Sequence, residues 1–170
     1  MPISRSFTVS ASGILRVLTT RARICEAFDP NNATLNATTV RREYNAIWDT
    51  GATGSVITQK VVDEFGLKPI GMVKVSGVHG DQLSPVFLVN VELPNDTGFV
   101  NIRVTLGVLG DVEMLIGMDI FSGGDLAITS KDGKTKCNFT VPPRAEMGVC
   151  TIANAGTVRT GRKEQMSEER

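Results

Sequence analysis

The tripeptide Asp-Thr-Gly occurs twice in this sequence, at Asp49–Gly51 and at Asp96–Gly98. A carboxylate can act as a general base toward water or as a general acid, provided that a rigid backbone holds it and partly shields it from solvent. The residues around the two copies differ, so each aspartate has to be assessed in its own setting.

Asp49 follows a short apolar run, YNAIW, which predicts a strand ending at Trp48. Small residues come after it, and among them Gly51 and Ala52 leave room for another backbone or a substrate to approach. The hydroxyl of Thr50 can lock the loop by hydrogen bonding. Asp49 is therefore the candidate catalytic residue, with Thr50, Gly51 and Ala52 as supports of its loop. A simple turn without chemistry is the alternative, since Asp-Thr-Gly also forms good turns.

Asp96 has turn-forming neighbours, which are Pro94, Asn95 and Gly98, and it lies between two alternating segments that predict strands. Aspartate in such a turn bonds its own backbone and stays in water. We therefore expect Asp96 to be a turn residue without a catalytic role.

Two longer segments resemble those of a known family. AIWDTGATGSVIT resembles the active-site segment of aspartic proteases, and EMLIGMDIF resembles the second signature of their retroviral-like branch, two apolar residues and a Gly followed by a short helix. The resemblance covers about residues 40–142, and IGMDIFSGGDLAI is similar to bacterial members. It indicates a bacterial-type, single-domain member of the retropepsin-like family. The fold implied is an all-β, single-lobe acid-protease β-barrel with one or two short helices, active as a homodimer.

The resemblance also implies a mechanism. In that family two aspartates face each other and share one proton, because two carboxylates that close cannot both ionise. One acts as base toward a bound water and the other as acid toward the scissile carbonyl, so no metal or other cofactor is expected.

This chain has one aspartate in a suitable setting, and the second Asp49 is expected from another copy of the chain. The implied function is an aspartic endopeptidase acting on polypeptides; the alternative is a dimeric binding or scaffolding module that keeps the fold and cleaves nothing.

Further residue roles follow from the resemblance. Leu115, Ile116 and Gly117 would form the strand and turn that pass beside the catalytic loop. The segment KVSGVHGDQLSPVF would be the flap that closes over substrate, and its tip residues are Gly77, Val78, His79 and Gly80. His79 is the only histidine; a solvated loop histidine is the simpler interpretation, and no catalytic role is assigned to it.

The sequence departs from the family pattern in three places. Trp48 is bulkier than the residue many relatives have before the catalytic aspartate. Met118 and Asp119 follow Gly117 where many retroviral enzymes have Arg-Asn, which makes Asp119 a candidate for a structural hydrogen bond. Residues 1–40 match no motif.

The terminal strands are expected to pair across the subunit interface, as in the family.

Hydrophobic residues recur with a period of two along most of the chain, which predicts strands. A helix is predicted over TQKVVDEFGL, with Thr58 as N-cap and Gly66 as the stop, and GMDIFSGG could add one or two turns. A two-residue hairpin is predicted at Asp132-Gly133. We therefore expect a protease domain over residues 1–145, of which 1–40 are unmatched N-terminal strands, and a polar, disordered tail over 146–170.

The composition is that of a globular domain. The chain has 170 residues, 41% of them hydrophobic, and its 18 Lys plus Arg balance 18 Asp plus Glu, so neither a nucleic-acid nor a membrane partner is expected. Its three cysteines are scattered, which favours free thiols over disulfides or zinc. No apolar run is typical of a signal peptide or membrane helix, and a cytoplasmic location is expected.

Overall fold

The computed structural model describes residues 4–29, 31–77, 80–94 and 96–143. This part of the chain forms ten strands and three short helices, so the all-β prediction is confirmed. In chain order they are β1 (Arg5–Ser10), β2 (Thr19–Glu26), α1 (Ala33–Thr38), β3 (Arg42–Trp48), β4 (Val56–Ile57), α2 (Gln59–Phe65), β5 (Gly71–Gly77), β6 (Gly80–Leu93), β7 (Thr97–Leu106), β8 (Met114–Ile116), α3 (Met118–Phe121), β9 (Asp125–Lys131) and β10 (Lys134–Val141).

Seven strands form one sheet in the order β2-β3-β8-β4-β7-β6-β5, and β2 also pairs with β6. This extra pairing closes six of the strands into a barrel and leaves β5 at the edge. Alternate side chains of the strands point inward and fill the barrel, because successive residues of a strand face opposite sides. Core residues with no more than 1% exposure include Ile24, Val89, Val104, Met114 and Ile116.

The other three strands form a separate antiparallel sheet in the order β1-β10-β9. β9 and β10 join through the predicted two-residue turn, in which Asp132 (φ 53°) and Gly133 (φ 71°) are both left-handed. The turn brings β10 back along β9, and β1 occupies the other edge of β10 within the same chain. β1 thus pairs with β10 inside one chain, and the pairing of terminal strands across a subunit interface stays a prediction.

An aromatic cluster joins the three-stranded sheet to the barrel. The Trp48 ring packs edge-on against Phe121, with centroids 5.0 Å apart, and against Phe139, at 5.1 Å. Phe7 completes the cluster, and the Trp48 Nε1–H donates to the Thr20 hydroxyl at 2.9 Å. Trp48, the residue that precedes Asp49, thus anchors the terminal sheet to the barrel.

The helices agree only in part with the prediction. α2 ends as expected at Gly66, which has a left-handed φ of 62°. Thr58 occupies the N-cap position in extended conformation, but its hydroxyl makes no capping bond and is buried without a partner. α1 was not predicted; its capping bond, from the Leu35 N–H to the Asn32 side chain, begins a helix in a polar segment that shows no apolar period.

Some predictions fall on residues outside the described part of the chain. These are the flap-tip residues Val78 and His79 and the tail over 146–170. Within the described residues, no helix is long and apolar enough to cross a membrane.

Candidate active site

Asp49 lies at the end of β3, where two other elements hold its backbone. β3 pairs in parallel with β8, with Trp48 opposite Ile116, and the Asp49 N–H donates to the Ile116 carbonyl at 3.0 Å. On the other side, the Trp48 N–H donates to the Leu18 carbonyl at 2.9 Å. The strand end is therefore held on both sides, which limits how far the Asp49 side chain can shift.

The residues after Asp49 form a tight turn around its carboxylate. The Gly51 N–H donates to Asp49 Oδ1 at 2.8 Å, and the Ala52 N–H donates to the Asp49 carbonyl at 3.2 Å. A Cβ atom at Gly51 would lie 3.1 Å from Asp49 Oδ1, closer than ordinary van der Waals contact. Asp49 itself is half-buried, so its carboxylate is partly shielded but reachable.

Gly117 packs against the loop that carries Asp49. A Cβ atom at this position would lie 2.5 Å from the Gly54 carbonyl carbon and 3.0 Å from the Ala52 carbonyl oxygen. That oxygen accepts a hydrogen bond from the Met118 N–H at 2.9 Å. Leu115, Ile116 and Gly117 thus lie beside the Asp49 loop, in the strand and turn where the resemblance had placed them.

Ser55 and Asp119 join the two loops through partly buried hydrogen bonds. The Ser55 hydroxyl donates to Asp119 Oδ1 at 2.8 Å and accepts from the Gly117 N–H at 3.1 Å. The Ser55 N–H donates to Asp119 Oδ2 at 3.0 Å, and Ser55 is only 1% exposed. The structural hydrogen bonding expected of Asp119 is present, and its carboxylate is directed into the support of the loop.

Ser55 was missed by the sequence reasoning. The available signal was a small hydroxyl residue shortly after the motif, but the sequence shows nothing of its partner 64 residues later.

Thr50 makes no hydrogen bond through its hydroxyl within the described part of the chain, and its side chain is exposed. The expected locking of the loop by Thr50 is therefore not made inside one subunit.

A cavity of about 250 Å³ adjoins Asp49 and Thr50. Its other lining residues are mostly apolar and come from the segment before β2, from α3 and from the terminal sheet: Leu15, Arg16, Leu18, Trp48, Phe121, Leu126, Ile128 and Thr135. The segment before β2 is held by Thr135, whose N–H donates to the Gly13 carbonyl and whose hydroxyl accepts from the Leu15 N–H, each at 3.0 Å. No motif in residues 1–40 indicated this position beside Asp49.

The β5–β6 hairpin is the segment interpreted as a flap. Every residue of β5 is exposed, as are the first four of β6, so this end of the hairpin extends away from the core. Gly77 pairs with Gly80, and Gly80 has a positive φ of 97°, which suits glycine. The backbone ladder joins the two strands of the hairpin, and Lys74 and Asp81 form an exposed ion pair across it, with nearest atoms 2.6 Å apart.

Asp96 lies in the turn between β6 and β7, remote in sequence and setting from the Asp49 loop. Its φ is 56° and its side chain is 67% exposed. The Arg23 guanidinium, 2.5 Å from Asp96 Oδ1, lowers the pKa of this carboxyl. Asp96 is thus a turn residue with an ion-pair partner, in a cavity of about 460 Å³ that Asp49 does not line.

The described residues contain no group of three or more His, Cys, Asp or Glu that could hold a metal ion. The thiols of Cys25 and Cys137 are free and buried, and burial raises the pKa of each. These thiols are therefore poor nucleophiles.

Residues 32–120 match the model of the aspartyl protease family. Since this match spans more than half of the chain, the protein belongs to that family, and the resemblance inferred from the sequence is confirmed. Its fold is the retropepsin-like single-lobe β-barrel. No curated protein matches the sequence.

Several solved structures are similar to this chain. A retropepsin-like aspartic protease from Rickettsia conorii is 15% identical, with 83% of this chain and 98% of that one covered and a TM-score of 0.48. EIAV protease in complex with the inhibitor HBY-793 is 18% identical over 65% of this chain and 90% of that one, with a TM-score of 0.44. The simian foamy virus (mac) protease is 17% identical, with coverage of 60% and 89% and a TM-score of 0.40.

Proposed function

We propose that this protein is an aspartic endopeptidase that hydrolyses peptide bonds with two Asp49 carboxylates, one from each subunit of a homodimer. The observation that carries the proposal is the setting of Asp49. Its backbone is held by β8, and its loop is locked by the Ser55–Asp119 bonds. Its carboxylate borders an open cavity whose lining also includes Leu18, Trp48 and Phe121. A carboxylate in so rigid and partly dry a position is suited to general acid–base chemistry.

The proposed reaction needs a second carboxylate close to the first. Two carboxylates in hydrogen-bond contact share one proton, because both cannot ionise at that distance. The ionised member takes a proton from a water molecule, which attacks the scissile carbonyl, and the protonated member donates its proton to the carbonyl oxygen. In the tetrahedral diol that results, the C–N bond then breaks: the carboxyl that took the water proton gives it to the leaving nitrogen, and the other carboxylate takes a proton from a diol hydroxyl as the carboxylic acid product forms. The roles belong to the coupled pair and cannot be assigned to one subunit.

The loop that carries Asp49 contributes by fixing the position of the carboxylate. The Gly51 N–H donates to Asp49 Oδ1 and fixes the orientation of that oxygen, while Oδ2 makes no hydrogen bond within the described residues. This leaves Oδ2 open toward water, substrate or the partner's carboxylate. In the same proposal, Thr50 and Ala52 support the loop, and Thr50 directs its exposed hydroxyl toward the partner.

The β5–β6 hairpin is proposed to fold over a bound polypeptide and exclude water from it. In this proposal the tip residues predicted from the sequence, Gly77, Val78, His79 and Gly80, would cover the substrate. The exposed apolar side chains of Met72 and Leu83, which share one face of the hairpin, would contact it. The bacterial origin and cytoplasmic location remain predictions from the sequence.

The test is incubation of the native chain with an unbiased peptide mixture at several pH values, with mass spectrometry of the products. We expect endoproteolytic products that disappear with a statine-type transition-state mimic and with the Asp49→Asn variant. A folded, dimeric protein that cleaves no peptide at any pH would favour the alternative, a binding module that keeps the fold.

A further inference from the structure

β9 forms one edge of the terminal sheet, and its outer side has no strand beside it in the described chain. Lys131 and Lys134 flank the two-residue turn and are opposite each other, so they form a hydrogen-bonded pair. Because such pairs alternate along an antiparallel ladder, the residues of β9 that bond β10 are 125, 127, 129 and 131. The N–H and C=O groups of Leu126, Ile128 and Ser130 therefore point outward.

This open edge lies beside the catalytic aspartate. Leu126 and Ile128 line the cavity that contains Asp49 and Thr50, and no residue of β1 does so. β1 forms the opposite edge of the sheet, where Arg5 donates from Nη1 to the Asp96 carbonyl at 2.8 Å. If a second Asp49 loop approached the first, it would contact the β9 edge of this sheet and not the β1 edge.

We propose that β9 pairs antiparallel with β9 of a second copy of this chain, about a two-fold axis at Ile128. The proposal rests on the proposed function, since a site with one aspartate per chain is incomplete without the partner. The two β1-β10-β9 sheets would join into one continuous six-stranded sheet on which both Asp49 loops are seated. In this arrangement the β9–β10 hairpin, which turns at Asp132-Gly133, supplies the edge strand of each subunit, and the subunits exchange no terminal strands.

The register follows from the groups that point outward. An axis at Ile128 pairs Ile128 with itself and Leu126 with Ser130 of the partner subunit, so every outward N–H and C=O group of these three residues finds a partner. A two-fold axis at any other residue leaves some of them unpaired. The same register sets Lys131 opposite Asp125 of the partner subunit, where the charges are complementary.

The edge also has the side chains expected of a buried interface. Ile128 is 55% exposed in the single chain, and Leu15, which lines the same cavity, is 39% exposed. An unpaired strand edge flanked by apolar side chains is a template for pairing with another chain. In this register, β9 of a second copy presents matching N–H and C=O groups and complementary charges, which makes it a suitable partner for the open edge.

Cross-linking tests the contact without reference to catalysis. Cysteine is placed at Ile128→Cys in a Cys150→Ser background, and a short bis-maleimide is added. The Cα atoms of a hydrogen-bonded antiparallel pair are about 5.5 Å apart, within the reach of such a reagent. We expect rapid cross-linking to a dimer, and none in the matched Val100→Cys variant, whose side chain is similarly exposed (46%) on β7. Absence of the Ile128→Cys product, or equal cross-linking of both variants, would overturn the proposal.

A second variant pair tests the energy of the contact. Ile128→Lys sets two like charges against each other on the axis and should raise the dimer dissociation constant at least about tenfold by sedimentation, while Val100→Lys leaves it unchanged. An unchanged dimer in Ile128→Lys would refute the interface, as would a native chain that stays monomeric at all concentrations. If Ile128→Cys cross-links specifically in a protein that cleaves no peptide, the interface is supported and only the proposed endopeptidase activity is contradicted.

Discussion

At the scale of single residues, Asp49 and Asp96 share a tripeptide and differ in setting. Asp49 is half-buried in a loop locked by other elements, whereas Asp96 is an exposed turn residue paired with Arg23. Asp49→Asn should abolish peptide cleavage and leave the fold intact, because it removes the charge of the pair and almost no volume. Rates on a cleaved peptide, with circular dichroism to verify folding, would measure this.

Asp96→Asn is the matched control for that substitution. Asparagine tolerates the left-handed φ of 56° as well as aspartate does, and exposed ion pairs contribute little to stability. We therefore expect native activity and a nearly unchanged urea midpoint. Loss of activity in Asp96→Asn, with activity kept in Asp49→Asn, would mean that the catalytic residue has been assigned to the wrong tripeptide.

Gly117 allows a second prediction at this scale. Its φ of −102° suits any residue, so the cost of Gly117→Ala is steric alone. The new Cβ would lie within 2.6 Å of the Gly54 carbonyl group, which is backbone and cannot rotate away. We expect a loss of about 1–3 kcal/mol in the free energy of unfolding, measured by urea denaturation, and a disturbed Asp49 loop with reduced activity.

Gly54→Ala is the control, since a Cβ at Gly54 meets nothing within 4 Å. It should be close to neutral for stability. Equal effects of the two substitutions would show that the close approach of Gly117 to the Asp49 loop does not exist in solution.

At the scale of elements, a charged contact joins α2 to the start of β8. Glu113 precedes β8, and its carboxylate accepts from Lys60 Nζ at 2.9 Å and from the Asn45 N–H at 3.1 Å. The Lys60 bond, with the Asn45 bond adding to it, lowers the pKa of Glu113. The Glu113 side chain is 19% exposed, so solvent screens this contact less than it would at an open surface.

This lowered pKa predicts a pH-dependent contribution to stability. A carboxyl whose pKa is lower in the folded state stabilises the fold above its unfolded pKa, near 4.5, and the stabilisation is lost as pH falls through the folded pKa. Glu113→Gln should therefore lower the free energy of unfolding by about 1 kcal/mol at pH 7. Near pH 2 the variant and the native chain should be equally stable, as urea titrations at both pH values would show.

Lys60→Met should remove part of the same pH dependence, because it deletes the main cause of the shift. A difference between Glu113→Gln and the native chain that is the same at both pH values would contradict this account and indicate a purely steric effect.

At the scale of the whole molecule, one candidate aspartate per chain means that activity should belong to the dimer. When native chain is mixed with Asp49→Asn chain and subunits exchange, a mixed dimer has one carboxylate and one amide and should be nearly inactive. With random pairing, an equal mixture keeps about one quarter of the activity of the same total amount of native chain. A protomer with a complete site would keep about one half.

Subunit exchange itself can be followed by native mass spectrometry of a labelled chain, which makes the result interpretable. A linear loss of activity with confirmed exchange would show that each chain holds its own site. Dilution through the dimer dissociation constant should also lower specific activity, and a substrate-like inhibitor should restore the dimer by mass action.

Local sequence determined much of this protein. The strand before Asp49, the stop of α2 at Gly66 and the turn at Asp132-Gly133 follow from side chains and backbone preferences acting within a few residues. α1 was missed because a six-residue helix depends on one Asn32 cap and its apolar residues do not recur with a helical period. The family motifs around Asp49 and Gly117 indicated which aspartate to choose, since the two segments are specific in composition and occur in order.

Only the tertiary structure decided which of these segments meet. The partly buried Ser55–Asp119 bonds join residues 64 positions apart, and the segment before β2 reaches the side of Asp49 although it contains no motif. The pairing of β10 with β1 inside one chain leaves β9 as the open edge beside Asp49. Strand partners are chosen by the closure of the whole sheet and the burial of its faces, and no local residue preference encodes that choice.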